Sequence, residues 1–407
     1  MIKAQRGTKD ILPESVLTWQ YIEKTARELF QNANYKEIRT PIFEGTELFK
    51  RGVGDSTDIV NKEMYTFSVG GINKDENSIT LRPENTAGVV RAYIEHGMNK
   101  VAAPVKLWYF GPMFRYERPQ KGRQRQFHQI GVEMFGIDKP AADAEVIALA
   151  SNFLSKMGLR ELVAEINSLG CTECRNKYKE KIKEVLKPYL DKLCDDCKVR
   201  YEKNPLRMLD CKNEDCIKIF DNDEIKNVIL SDFICDECKT HYEDVKKYLD
   251  ILNIKYKENK MLVRGLDYYN RTVFEIKSDA LGSQSAVAGG GRYDGLVEML
   301  GGEKTPAVGF ALGVERLYEL VEKQEDNKLD YFVVSNLTDE AVKTVQYLRD
   351  KGYSADFDFQ NRKFGKQFEK AGKTAKNAVI IGEDEINGGY YTVKNLITGE
   401  QKQIKEL

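Results

Sequence analysis

Phe114-Arg115-Tyr116-Glu117-Arg118-Pro119-Gln120-Lys121-Gly122-Arg123-Gln124-Arg125-Gln126-Phe127-His128-Gln129 is a basic loop set between two strand-like runs. Five cations (Arg115, Arg118, Lys121, Arg123 and Arg125) fall within eleven residues, opposed by Glu117 alone. Such density repels itself unless an anion neutralises it, and the planar forked donors of arginine suit phosphate oxygens. A solvated hairpin tip is the competing reading of any basic run, but the strand that follows weighs against it. Alternation puts Gln129, Gly131 and Glu133 on one face and His128, Ile130, Val132 and Met134 on the other. An amide and a carboxylate flanking a side-chain-free gap make a floor for a small polar ligand. His128, on the apolar face, reads as a packed histidine rather than a catalyst. Residues 105–135 thus predict strand, basic loop, strand, a hairpin of an antiparallel sheet.

Toward the N-terminus, Trp19, Ile22, Ala26, Leu29 and Phe30 recur at helical spacing after Pro13, and the stripe stops near Asn34. Residues 36–44 read as extended, and Pro41 suits them to an edge or interface strand. In Thr80-Leu81-Arg82-Pro83-Glu84-Asn85-Thr86-Ala87 the proline ends a strand and apolar spacing from Ala87 to Ile94 starts a helix. Glu84 and Thr86 then stand where a chain end presents free amides. Simple helix capping explains them equally well.

Toward the C-terminus, Leu262-Val263-Arg264-Gly265-Leu266-Asp267-Tyr268-Tyr269-Asn270 precedes strand-like segments at 272–276 and 286–288. The glycines of Gly289-Gly290-Gly291-Arg292-Tyr293-Asp294-Gly295 let a ligand approach the backbone closely. Val308-Gly309-Phe310-Ala311-Leu312-Gly313-Val314-Glu315-Arg316-Leu317 reads as a strand entering a helix. Arg316 would sit in that helix's first turn, where the dipole disfavours a cation. A bound anion resolves the conflict, and so does the neighbouring Glu315.

The charged run at 322–328 reads as a linker. Beyond it strands at 331–334, 355–359 and 378–381 alternate with helices at 338–351 and 364–375, which predicts a small parallel α/β domain. A hairpin is expected at 390–404. The expected fold class is α+β: an antiparallel-sheet domain over 1–325, interrupted by a cysteine-rich insertion at 168–245, then an α/β domain over 328–407.

Length and composition set the outer limits. At 407 residues two or three domains are expected, and 41% hydrophobic with 31% charged residues fits a chain with an ample core. No apolar run reaches membrane-spanning length and no signal-peptide core follows the opening residues, so no membrane association and a cytosolic location are expected. A net charge of −1 excludes a uniformly basic nucleic-acid binder but not a local basic surface. Three histidines are too few for a His-rich metal site. The eight cysteines fall in four close pairs, Cys171/Cys174, Cys194/Cys197, Cys211/Cys216 and Cys235/Cys238. That spacing fits structural zinc in one or two four-cysteine sites, with reduced, unligated thiols as the competitor and catalytic zinc disfavoured.

Taken in order, these segments resemble the motifs of class II aminoacyl-tRNA synthetases. The stretch around Pro41 resembles the dimer-interface motif 1, residues 114–133 motif 2, and residues 309–316 motif 3. Arg-Gly-Leu-Asp-Tyr-Tyr at 264–269, Gly-Gly-Arg-Tyr-Asp-Gly at 290–295 and the opening Arg6-Gly7-Thr8-Lys9-Asp10-Ile11-Leu12-Pro13 are similar to segments of the histidyl-tRNA synthetases. The resemblance spans nearly the whole chain, least clearly the cysteine-rich insertion, and ordered long motifs are far more specific than any single one. It implies L-histidine, ATP with Mg2+, and tRNA(His) as partners, a homodimer, and a histidyl-adenylate intermediate.

Residue by residue, the resemblance assigns Glu84 and Thr86 to the α-amino group and its surroundings, with Asn85 also among the histidine-binding residues. It assigns Arg115 to the α-phosphate and substrate carboxylate, Arg123 to the γ-phosphate end and Arg316 to the far side of ATP. Gln129 and Glu133 bind histidine, Arg264 stabilises charge at the α-phosphate, and Tyr268 and Tyr269 line the imidazole pocket. Arg118, Gln120 and Lys121 meet the tRNA acceptor end. The C-terminal domain resembles an anticodon-binding domain, and Lys363, Lys366, Lys370 and Lys373 form a basic stripe beside Arg362 that reads equally as a solvated face. The further helix that usually ends such a domain is not expected here. The rival from another class is a non-catalytic paralogue that regulates ATP phosphoribosyltransferase. Arg264, the basic loop and the C-terminal domain stand against it. Another class II synthetase is the second rival, and the paired tyrosines argue for histidine.

Overall fold

The hairpin expected at 105–135 forms and lies within the main sheet. The computed structural model describes all residues except 55–56, 69–77, 121, 230–232, 279–285 and 325–327, so Lys121 and three residues of the charged run lie outside the described residues. The N-terminal unit, Met1–Gln324, carries β1 (Lys36–Glu37), β2 (Phe43–Gly45), β3 (Tyr65–Ser68), β4 (Ser78–Leu81), β5 (Val105–Phe114), β6 (Gln126–Phe135), β7 (Leu162–Ser168), β8 (Tyr256–Glu258), β9 (Asn270–Ser278), β10 (Ala286–Arg292) and β11 (Ala307–Gly313). Eight of these described strands form one sheet in the order β1-β5-β6-β11-β10-β9-β7-β8. Its inner pairs are antiparallel. Only the margins, β1 on β5 and β7 on β8, are parallel. The short strand before Pro41 is thus an edge, as the proline demands. β2, β4 and β3 make a separate three-stranded sheet that carries the chain into residues 82–86.

Alternation gives the large sheet two unlike faces. One is aliphatic: Ile130, Val132, Met134, Phe310 and Leu312 pack beneath the helices Pro13–Asn32, Pro140–Lys156 and Asp236–Ile251. The first helix starts on a proline that needs no N–H partner there and buries Trp19, Ile22, Ala26 and Phe30 at helical spacing. Phe30 alone meets the rings of Trp108, Phe153 and Phe310, and each such fully buried side chain stabilises by roughly 1.5–3 kcal/mol. The other face is aromatic and polar, with Tyr109, Tyr268, Tyr269 and Tyr293 under the helix Thr86–Glu95. That second face holds the candidate site.

Residues 172–229 form helices around an apolar cluster of their own that includes Tyr178, Ile182, Leu186, Met208 and Phe220. The boundary expected at 245 falls inside the helix Asp236–Ile251, whose Tyr242, Val245 and Leu249 join the main core. A Lys/Asp/Glu-rich composition hid that helix's apolar stripe from a reading by composition alone.

The second unit, Glu325–Leu407, carries β12 (Leu329–Ser335), β13 (Ala355–Phe357), β14 (Ala375–Ile381), β15 (Tyr391–Asn395) and β16 (Gln401–Ile404) in the order β13-β12-β14-β15-β16. β13, β12 and β14 are parallel, as helical crossovers require, whereas the closing hairpin is antiparallel and makes the sheet mixed. No helix among the described residues is long and apolar enough to cross a membrane.

Candidate active site

On the aromatic face a pocket of about 210 Å³ opens. Its walls include Glu84, Thr86, Tyr109, Gln129, Glu133, Tyr268, Tyr269 and Tyr293, with Arg115 and Arg264. A second, wider pocket adjoins it and holds Arg123, Arg316, Glu117 and Glu275. Arg115, Gln129 and Arg264 line both. The sequence expectation placed Gln129 and Glu133 on one floor, and they stand there. The gap over Gly131 is not open, however. Gly131 pairs with Tyr109 across the hairpin, and a side chain at 131 would come within 2.4 Å of the Tyr109 ring. The tyrosine fills the gap and becomes part of the wall.

Glu133 is a strongly perturbed group of the pocket. It is 1% exposed, accepts a bond from Thr86 Oγ1 at 2.8 Å and another from the Tyr293 hydroxyl. Burial pushes its pKa up to about 8; the bonds from Tyr293 and Thr86 pull it down, and the nearby Glu84 pushes it up again. Glu84 is itself raised by burial and held back by the amides of Ala87 and Thr86, which it accepts at 3.0 and 2.7 Å. Glu84 therefore caps the helix and lines the pocket at once, so the two readings of this residue were not exclusive. Two buried carboxyls in one chamber favour a ligand rich in N–H donors or positive charge. Arg115 and Arg264 add two guanidiniums to the same wall.

The folded chain holds the Glu133 proton more tightly than the unfolded chain does. That stabilisation is complete below the ordinary value of 4.5 and disappears as pH rises through about 8. The unliganded protein is therefore expected to lose thermal stability as pH rises from 4.5 to about 8. Glu133→Gln should flatten that loss in melting curves taken across the range. Parallel curves for the two proteins would remove the assignment.

In the wider pocket seven cationic side chains face five carboxylates. Arg123 is paired to Glu117 only at 3.5 Å, and burial together with the charge of Arg123 holds the Arg316 pKa down. Glu315 cannot relieve Arg316, because its carboxylate accepts the His128 N–H at 2.9 Å and faces the ring Nδ1 at 3.0 Å. Arg316 donates to the Ala286 carbonyl, and the charges of Glu275 and Glu117 partly offset its own. Arg264 bonds Glu275 and lies against Gly289, while its Nε and the Gln129 Oε1 are buried without a hydrogen-bond partner among the described residues. Buried polar atoms of this kind mark where a ligand completes the network. Arg115 is steered by a bond to Pro83 O at 2.8 Å and by the Phe127 ring.

Not every expected residue joins the site. Asn85 is absent from the pocket wall: its Oδ1 accepts from Thr40 at 2.7 Å and Arg82 at 3.1 Å. His128 packs against Trp19 and Phe110, as its face predicted. Tyr109, Tyr293 and Glu275 were not singled out as site residues, although Tyr293 sat inside a quoted motif and Glu275 inside a quoted strand. The lysine stripe is not bare either. Lys366 and Lys373 share Glu369 at 2.9 and 3.0 Å, and Arg362 is tied to Asp358. The cysteines form two groups, Cys171/Cys174/Cys235/Cys238 and Cys194/Cys197/Cys211/Cys216.

Comparison with known proteins agrees with this geometry. A family model described as histidyl-tRNA synthetase matches residues 7–174 and 223–317, leaving the second cysteine group outside, and an anticodon binding domain model matches 325–406. A histidine–tRNA ligase of Halothermothrix orenii is 51% identical over 413 residues, covering 99% of this chain and 96% of that protein. One from Acetivibrio thermocellus is 49% identical, covering 99% and 97%. The crystal structure of apo S. aureus histidyl-tRNA synthetase superposes with a TM-score of 0.81 at 41% identity, covering 99% of this chain and 97% of that one.

Proposed function

The chain belongs to the histidyl-tRNA synthetase family, and from that premise we propose that it ligates L-histidine to tRNA(His) using ATP. The observation that carries the reading is the junction of the two pockets at Arg115 and Arg264. A zwitterion held by Glu84, Thr86, Gln129 and Glu133 presents its carboxylate there, and a triphosphate held by Arg123 and Arg316 presents its α-phosphorus there. The carboxylate oxygen attacks that phosphorus. The bond to the bridging oxygen breaks, pyrophosphate leaves and histidyl-adenylate remains. A 3′-terminal ribose hydroxyl of the tRNA then attacks the carbonyl carbon and AMP departs. No protein nucleophile is required: positioning and cationic stabilisation of the phosphorane-like charge supply the rate. ATP enters with Mg2+, and the carboxylates Glu63, Glu117 and Glu275 beside the arginines suit a hard cation.

Residues 1–325 are the class II catalytic domain in this reading, interrupted at 168–245, and 328–407 read the anticodon. The protein works in the cytosol as a homodimer. Ile42 and Phe43, beside the motif 1 proline, are 43% and 57% exposed, which supports a covered face there. Intact Arg264, the basic loop and the C-terminal unit disfavour the regulatory alternative.

Charging of tRNA(His) with labelled histidine tests the reading directly, and no charging with ATP present would remove it. In the same assay, combined Lys366→Ala, Lys370→Ala and Lys373→Ala substitutions should raise the tRNA KM and flatten its salt dependence. Because Glu369 already offsets two of these charges, the rise should be about two- to fivefold rather than an order of magnitude. Unchanged tRNA kinetics would leave the stripe as a solvated face.

A further inference from the structure

The eight cysteines are all free thiols, yet they do not sit as ordinary buried thiols do. Within each quartet the four sulfurs lie within 4.8 Å of one another. Cys171 and Cys174 are 3.6 Å apart at sulfur, and Cys194 and Cys211 are 3.8 Å apart. A tetrahedral ion with metal–sulfur bonds of about 2.3 Å sets its sulfurs about 3.8 Å apart. Backbone amides aim at these sulfurs as they would at thiolates. Cys171 N–H donates to Cys238 at 3.2 Å and Cys235 N–H returns the bond to Cys174 at 3.1 Å. Cys194 N–H donates to Cys216 at 3.3 Å, and Asn213 N–H to Cys211 at 3.4 Å. Cys171, Cys194 and Cys235 each stand at a helix N-cap, with Cys174, Cys197 and Cys238 in the following first turn. Helix N-termini favour the anionic sulfur. Four sulfurs so close, at the edge lengths of a tetrahedron, suit one shared cation.

Both quartets flank side chains that grip one residue of the substrate loop. Arg175, next to Cys174, donates to the Asp267 carbonyl at 3.2 Å. Asn204, between Cys197 and Cys211, donates to the Asp267 carboxylate at 2.7 Å. Arg200, in the same segment, pairs with Asp58 at 2.9 Å on the rim of the wider pocket. Asp267 belongs to the loop that carries Arg264, Tyr268 and Tyr269.

We propose that each quartet is a structural zinc site and that the two together hold the helical insertion against Asp267, bracing the Arg264–Tyr269 loop. The bracing half rests on the reading of that loop as a histidine-binding element. The metal half does not.

The test begins with elemental analysis of the full chain purified without chelator, alongside mercurial titration of its thiols with a zinc-sensitive dye. Two zinc ions per chain, released as the eight thiols react, are expected. Cys194→Ser with Cys211→Ser should leave one. No zinc, a single zinc in the unaltered chain, or iron in its place overturns the metal assignment, and the unaltered chain suffices should the serine variant fail to fold. Asn204→Ala should keep both zinc ions and raise the histidine KM about fivefold or more in pyrophosphate exchange, with a smaller change in kcat. Two zinc ions with an unchanged histidine KM overturns the bracing and leaves the sites standing. Absence of exchange in the unaltered chain removes the ligase reading and the bracing with it, while the zinc count still decides the metal.

Discussion

Arg264→Ala is expected to lower histidine-dependent ATP–pyrophosphate exchange by about 10²–10³-fold, the scale on which removal of one preorganised donor to developing charge acts. Arg264 lines both pockets, and its Nε is buried with no hydrogen-bond partner among the described residues. Its other contact, to Glu275, fixes the guanidinium in place. Truncation therefore does two things at once. It removes a cation from the site where charge builds on the α-phosphate, and it leaves the Glu275 carboxylate facing the incoming phosphates. The far-UV spectrum should not change, since the residue sits on a loop outside the sheet. Arg264→Lys restores charge without the planar fork and should recover only part of the rate. Near-normal exchange in the alanine variant would contradict the assigned role.

The second large effect concerns stability. Arg292 and Asp143 are both fully buried, with Nη2 and Oδ2 2.5 Å apart, and Arg292 also reaches Asp294 at 3.1 Å and the Ile137 carbonyl at 2.9 Å. His241 adds a contact to Asp143 at 3.3 Å. Burial opposes ionisation of Asp143, but the Arg292 charge and the bonds from His241 and Arg292 hold its carboxyl well below the usual range. Removing one member takes from the other its main counter-charge in the interior and leaves only Asp294 or His241 beside it, a loss bounded above by the about 3–5 kcal/mol of a fully broken buried pair. Arg292→Ala or Asp143→Ala should lower the urea midpoint accordingly. The double replacement Asp143→Leu with Arg292→Met should cost less than the two single changes summed, because neither charge is left alone. Additive losses would show that the pair is not the unit. Exchange activity should fall as well, since the next residue, Tyr293, donates to Glu133.

The fold's main sheet was legible because its signal is local. Period-two alternation in residues 128–134 alone separates the pocket wall from the aliphatic core: Gln129 and Glu133 line the pocket, and Ile130, Val132 and Met134 join the core. The alternating strands and helices after residue 329 and the closing hairpin were legible for the same reason, whereas the antiparallel pairing of β15 with β14, which makes the sheet mixed, is set across the helix Glu383–Gly388 and no local pattern reveals it. Long-range partners were not legible. Tyr109 closes the gap over Gly131 only through the hairpin register. Glu315 is taken by His128, 187 positions away, which removes a partner that adjacency alone had offered to Arg316. Asn85 stands between two pocket residues in sequence but turns toward Thr40 and Arg82. Grouping of the cysteines is likewise a product of folding: the outer two pairs meet each other, and the inner two do likewise. Glu369 was different, for it lay in plain view three and four residues from its lysines.

The central claim is that the two joined pockets activate histidine with ATP. Amino-acid-dependent ATP–pyrophosphate exchange by the purified chain, run separately with each of the twenty amino acids, tests it most directly. The account predicts exchange with histidine and with no other amino acid. Exchange with a different amino acid would contradict the assignment of Glu133, Tyr268 and Tyr269 to an imidazole pocket, and no exchange at all, with histidine still bound, would contradict the catalytic claim itself.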